Sequence, residues 1–165
     1  MKEKIYKGFT LIELLVVIVI LGILSTLVVG NYRSAKSRGN DAKRKSDLKQ
    51  IAIAVEAFMN DYGTYPAASS NKIVACPYVP GGTSTACTWG TGEFTDGKSV
   101  YFREIPADPL SSKQDYFYRR ASTNTFQLYT KLENTQDKDI ITTVYDCGTG
   151  ANSCNYAVTS SNTSP

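Results

Sequence analysis

One carboxylate, Glu13, lies inside an otherwise apolar run from Phe9 to Gly30, where it is a charge that needs a partner. As helix, those 22 residues would extend about 33 Å, enough to cross a hydrocarbon core of about 30 Å. A segment that only anchored would be better served by leucine, because an ionised group near the middle of a span costs on the order of 3 kcal/mol. A cation brought in from elsewhere makes the acid tolerable. Few other residues offer chemistry. The chain has no histidine, so it lacks the commonest general base and metal ligand, and neither a Ser-His-Asp nor a Cys-His arrangement can form within it.

The residues around this acid, Gly8 to Leu14 (GFTLIEL), follow a short basic leader, MKEKIYKG. They resemble the processing site of the type IV pilin superfamily: type IV pilins, type II secretion pseudopilins and competence pilins. The resemblance implies that a prepilin peptidase cuts after Gly8 and methylates the new N-terminus at Phe9. It also implies that Glu13 pairs with the freed amine of a neighbouring subunit during filament assembly. That is physically coherent, since cleavage creates an amine with an ordinary pKa near 8 just where a buried carboxylate needs a cation. The competing reading is a plain signal anchor with a stray acid.

Four cysteines, Cys76, Cys87, Cys147 and Cys154, all follow the apolar run. An even number beyond an export signal points to disulfides in an oxidising compartment. Three connectivities exist. The local one, Cys76 with Cys87 and Cys147 with Cys154, closes short loops at modest entropic cost. A zinc site is the alternative, but neither spacing is a CxxC knuckle and no histidine completes a mixed set.

The elements expected to carry these residues are a leader at 1–8, a membrane and filament-core helix at 9–30, and an amphipathic continuation at 31–62. A globular domain fills 63–165. The continuation carries Leu48, Ile51, Ala52, Val55, Phe58, Met59 and Tyr62 at three- and four-residue spacing, an apolar stripe that predicts docking on a domain. Gly63 and Pro66 in DYGTYP stop the helix. Residues 67–99 read as a connector in which Trp89 and Phe94 cover the sheet, with ligand stacking by Trp89 as the sharper alternative. Strands are predicted over Asp115–Ala121, Thr125–Glu133 and Asp139–Asp146, with a hairpin at Ser122–Asn124. The fold class is α+β: a long helix packed on a small antiparallel sheet. DYGTYP and IPADP (Ile105–Pro109) resemble segments of the type II secretion major pseudopilin.

Net charge is +3, and the leader's Lys2, Lys4 and Lys7 account for most of it, so no global basic excess points to nucleic acid. The stretch with Arg33, Lys36, Arg38, Lys43, Arg44, Lys45 and Lys49 is basic. It reads as a solvated face or one that meets acids on neighbouring subunits, with contact to DNA or head groups as the alternative. By the positive-inside rule it would put the C-terminal side in the cytoplasm; the processing motif and the cysteines argue for the opposite orientation. The resemblance further implies calcium in the C-terminal loop of major pseudopilins. The oxygen-bearing candidates are Asp108, Asp115, Glu133, Asp137, Asp139 and Asp146, which read otherwise as solvated loop charges, and no ligand pattern aligns.

The expectation is therefore a filament subunit and not an enzyme, with no cofactor beyond that calcium. Its partners would be its own copies in a helical homopolymer, the prepilin peptidase, an inner-membrane assembly platform, minor pilins and the membrane. It would be a single-pass inner-membrane protein with an extracytoplasmic C-terminal domain, assembled into a periplasmic or surface filament. A competence or adhesive pilin is the neighbouring alternative. A membrane-anchored ligand-binding module using Trp89 and the tyrosine-rich strands is the alternative from another class.

Overall fold

A computed structural model of the protein describes residues 8–142, 145–147 and 153–161, and within these the side chains of 26–31, 145–146 and 153 are left aside. The chain divides into two units, Met1–Ser37 and Arg38–Pro165. Helix α1, Leu11–Tyr62, enters both, and Gly22, Gly30 and Gly39 all lie within it.

In the first unit the helix is apolar on every side. Side chains from Leu11 to Leu24 are exposed all round its circumference, Leu11 at 82% and Val17, the least exposed of them, at 47%. A helix that is hydrophobic all round is stable only against lipid or other protein. Among the described residues no helix is long and apolar enough to cross a membrane. The span expected over Phe9 to Gly30 ends on residues 26–30, whose side chains lie outside the described set.

In the second unit α1 presents one buried stripe, Leu48, Ile51, Ala52, Val55 and Phe58, at the predicted spacing. It ends where Gly63 takes a left-handed φ of 67° and its N–H bonds the Met59 carbonyl at 2.8 Å, a glycine cap that a Cβ would strain. The stripe shares one core with Tyr116 and Tyr118 of β5 (Phe117–Ser122) and the segment before it, Phe126 and Leu128 of β6 (Thr125–Thr130), Ile105 and Leu132. This is the α+β architecture of a long helix on small antiparallel sheets.

The expected hairpin is present, with β5 and β6 paired antiparallel in the register Tyr118 to Leu128. The third strand is not the predicted Asp139–Asp146. β6 pairs on its other side with β9, Tyr156–Thr159, Leu128 standing opposite Val158. Turns absorb the region after Asn134, whose carbonyl accepts from Asp137 N–H at 3.1 Å, while the Asp137 carbonyl accepts from Ile140 N–H at 3.2 Å. Among the described residues there, β7, Tyr145–Asp146, is the strand, and it pairs with β8, Ser153–Cys154. Residues 143–144 and 162–165 lie outside the described residues.

Two further departures follow from tertiary packing. The connector and the residues just after it form two short hairpins, β1 (Ala67–Ser69) with β2 (Lys72–Val74) and β3 (Phe94–Thr95) with β4 (Val100–Phe102). Strands this short lack a readable period. The outward face of β6 is also buried, because Tyr129 packs with Cys147, Cys154, Phe117 and Ala157 in a second small cluster.

Candidate functional site

The residues expected to be processed sit just ahead of the helix. Gly8, Phe9 and Thr10 are exposed and outside regular structure, and Phe9 is 84% exposed.

Glu13 has an immediate local partner that sequence reasoning missed. Its Oε2 accepts from the Thr10 backbone N–H at 2.8 Å and from the Thr10 hydroxyl at 2.7 Å, while the Glu13 N–H reaches Thr10 Oγ1 at 3.3 Å. This is a reciprocal capping box that satisfies two orphan amides at the helix start. The signal was legible: Thr-x-x-Glu opening an apolar run is its sequence signature. The carboxylate is thus tied to Thr10, one turn back at the start of the helix.

In the second unit, the cysteines pair locally, Cys76 with Cys87 and Cys147 with Cys154, so the sulfurs are consumed and the zinc alternative is set aside. Trp89 is 9% exposed and meets the Tyr116 ring edge-on, centroids 5.9 Å apart. Tyr116, Tyr118 and Tyr129 are buried as well. These rings are largely spent on packing rather than presented as a stacking face.

The basic stretch is also corrected in part. Arg44 is fully buried and donates to Asp108 through Nε at 2.8 Å and Nη2 at 3.1 Å, and through Nη1 to Asp41 and Glu133 at 2.8 Å each. Burial alone would make the guanidinium easier to deprotonate; the hydrogen bonds to Asp108, Glu133 and Asp41 outweigh it and raise the pKa above the ordinary value. Lys43 pairs with Asp47, and Lys45 with Asp137 and Asp139. Arg33, Lys36, Arg38 and Lys49 are exposed. Two of the seven cations, Arg44 and Lys45, therefore hold the domain on the helix, and Lys43 is paired along the helix itself, rather than all forming a free phosphate-binding face.

Of the acidic candidates, Asp108 and Glu133 serve Arg44, Asp137 and Asp139 serve Lys45, and Asp115 is exposed. The Asp146 side chain lies outside the described residues. Among the described residues no group of three or more His, Cys, Asp or Glu side chains could hold a metal.

Comparison with known proteins bears on the same N-terminal motif and on most of the chain. Residues 4–29 match the family described as the prokaryotic N-terminal methylation motif. The type II secretion system core protein G of Pseudomonas aeruginosa is 32% identical over 129 residues, 78% of this chain and 84% of that protein. Its counterpart in Klebsiella pneumoniae is 34% identical over 106 residues, 64% and 70% of the two chains. That of Vibrio cholerae is 29% identical over 117 residues, 70% and 73%. No solved structure gives a significant match.

Proposed function

The chain belongs to the type II secretion system core protein G family, whose members are structural pseudopilins and not enzymes, and from that premise we propose how its residues build a filament. The precursor sits in the inner membrane through α1. Prepilin peptidase removes residues 1–8 by cutting after Gly8 and methylates the Phe9 amine. The amine then meets Glu13 of a neighbouring copy, so that both charges enter the apolar core as a pair. The domains organise as a leader 1–8, a filament-core segment 9–30, its amphipathic continuation 31–62 and a globular part 63–165.

The observation that supports this most is the apolar surface from Leu11 to Leu24, exposed on all sides of the helix. Lipid covers it before assembly and other copies of α1 cover it afterwards. Contacts between such copies are head-to-tail and do not close, so they extend into a fibre. The assembly platform and the minor pseudopilins are the further partners. The globular domain faces the periplasm, where its cysteines oxidise.

Mass spectrometry of the exported protein is the test. The expected N-terminus is methylated Phe9, and the protein should be recovered in sedimentable filaments. A chain that keeps Met1 to Gly8 and stays monomeric would overturn the proposal.

A further inference from the structure

Asp137 and Asp139, in the loop after β6, converge on one cation. Here that cation belongs to the chain. Lys45 Nζ lies 2.6 Å from Asp137 Oδ1 and 2.7 Å from Asp139 Oδ2. The Lys45 side chain is 19% exposed, and its ammonium stands 5.6 Å from the centroid of the Tyr156 ring, close enough for cation–π attraction. Asp137 Oδ1 also accepts the Asp139 N–H at 3.0 Å, so the loop is wound around the same oxygen.

Calcium does not fit this loop. The ion takes roughly six to eight oxygens at about 2.3–2.6 Å, so one bound to these two carboxylate oxygens would occupy the space of the ammonium. Of the other candidate acids, Asp108 and Glu133 are already engaged by Arg44. The adjoining cleft is lined by Arg38, Lys45, Asn134, Gln136, Asp137 and Lys138, three cations against one acid, a field that repels a divalent ion.

We propose that Lys45 is the built-in counter-cation of the C-terminal loop, and that this loop folds without calcium, unlike what its resemblance to major pseudopilins implied. The proposal is independent of how the filament is built. The charge states agree with it. Burial opposes the ammonium, but the bonds to Asp137 and Asp139 dominate and raise the Lys45 pKa; the Lys45 bond in turn holds Asp137 below the usual carboxylate range.

The experiment uses the full-length protein in detergent micelles, with limited proteolysis mapped by mass spectrometry between Glu133 and Cys147, in EGTA and in millimolar calcium chloride. The wild type is expected to be cut at the same rate in both. Lys45→Met, which keeps the aliphatic stem and removes the charge, is expected to be cut about three- to tenfold faster in EGTA. Protection of the wild type by calcium would overturn the proposal, and so would a Lys45→Met protein cut no faster than wild type. The wild-type comparison needs no variant, so a substitution that prevents folding does not spoil the test.

Discussion

Arg44 and Asp108 grip each other through two parallel hydrogen bonds, at 2.8 and 3.1 Å, with both side chains fully buried and 64 positions apart in the chain. One cation here serves three carboxylates, and the surplus negative charge is met by other donors. Asp41 accepts the backbone N–H groups of Glu133 and Asn134 at 2.9 and 2.8 Å. Asp108 accepts the Leu110 N–H at 2.7 Å and Gln114 Nε2 at 3.0 Å. The cluster joins α1, the IPADP segment and the end of β6, which gives Asp108 a reason to be where it is.

Removing the guanidinium strands buried acids. Arg44→Met is expected to lower stability by about 3 kcal/mol or more, since breaking one side of a buried pair leaves an uncompensated charge. Arg44→Lys should recover only part, because an ammonium cannot fork onto both oxygens of Asp108. Urea unfolding in micelles followed by Trp89 fluorescence measures both, and an unchanged midpoint for Arg44→Met would refute the role.

Capping and charge can be separated at Glu13. Glutamine at the third helical position still completes a capping box, whereas alanine does not. Both Glu13→Gln and Glu13→Ala should be cut after Gly8 and recovered in the membrane. Neither should form filaments in electron micrographs if the Phe9 amine requires a carboxylate. Normal filaments from Glu13→Gln would mean that Glu13 serves only as a cap.

Acid sensitivity should trace partly to Asp96. The N–H groups of Ser99 and Lys98 bond it at 2.6 and 2.8 Å, and Tyr62 donates its hydroxyl at 2.6 Å. The Ser99 amide, then Tyr62 and the Lys98 amide, hold its pKa down at about 2. A carboxylate depressed on folding favours the native state fully above its unfolded value near 4, and that contribution disappears as the pH falls toward 2. The Tyr62 hydroxyl, chiefly through the same bond, is pushed up to about 12, so its contribution is present below its unfolded value near 10 and lost as the pH rises through 12. Stability curves of wild type and Asp96→Asn should differ at neutral pH and converge in acid; parallel curves would exclude this source.

The two disulfides close sequence separations of 11 and 7 residues. Replacing Cys76 and Cys87 together with alanine should cost about 2–3 kcal/mol, the usual effect of opening a loop of this order. Replacing Cys147 and Cys154 should act mainly on β7, β8 and the cover over Tyr129. Non-reducing peptide maps should show only the two local links, and any crossed peptide would contradict the pairing.

The sequence alone determined what depends on near neighbours: the processing motif at Gly8 and Phe9, the acid in the apolar run, the stripe from Leu48 to Phe58, the stop at Gly63 and the β5–β6 hairpin. Those signals are periodic or adjacent, and helix and hairpin contacts span only a few residues. Only the tertiary structure decided that Arg44 would be buried on Asp108, that Lys45 would lie between Asp137 and Asp139, and that Tyr156–Thr159 would complete the sheet. A charge looks the same in sequence whether it ends in water or in an ion pair, because its partner lies 64 positions away for Arg44 and 92 for Lys45, and only folding brings the two together.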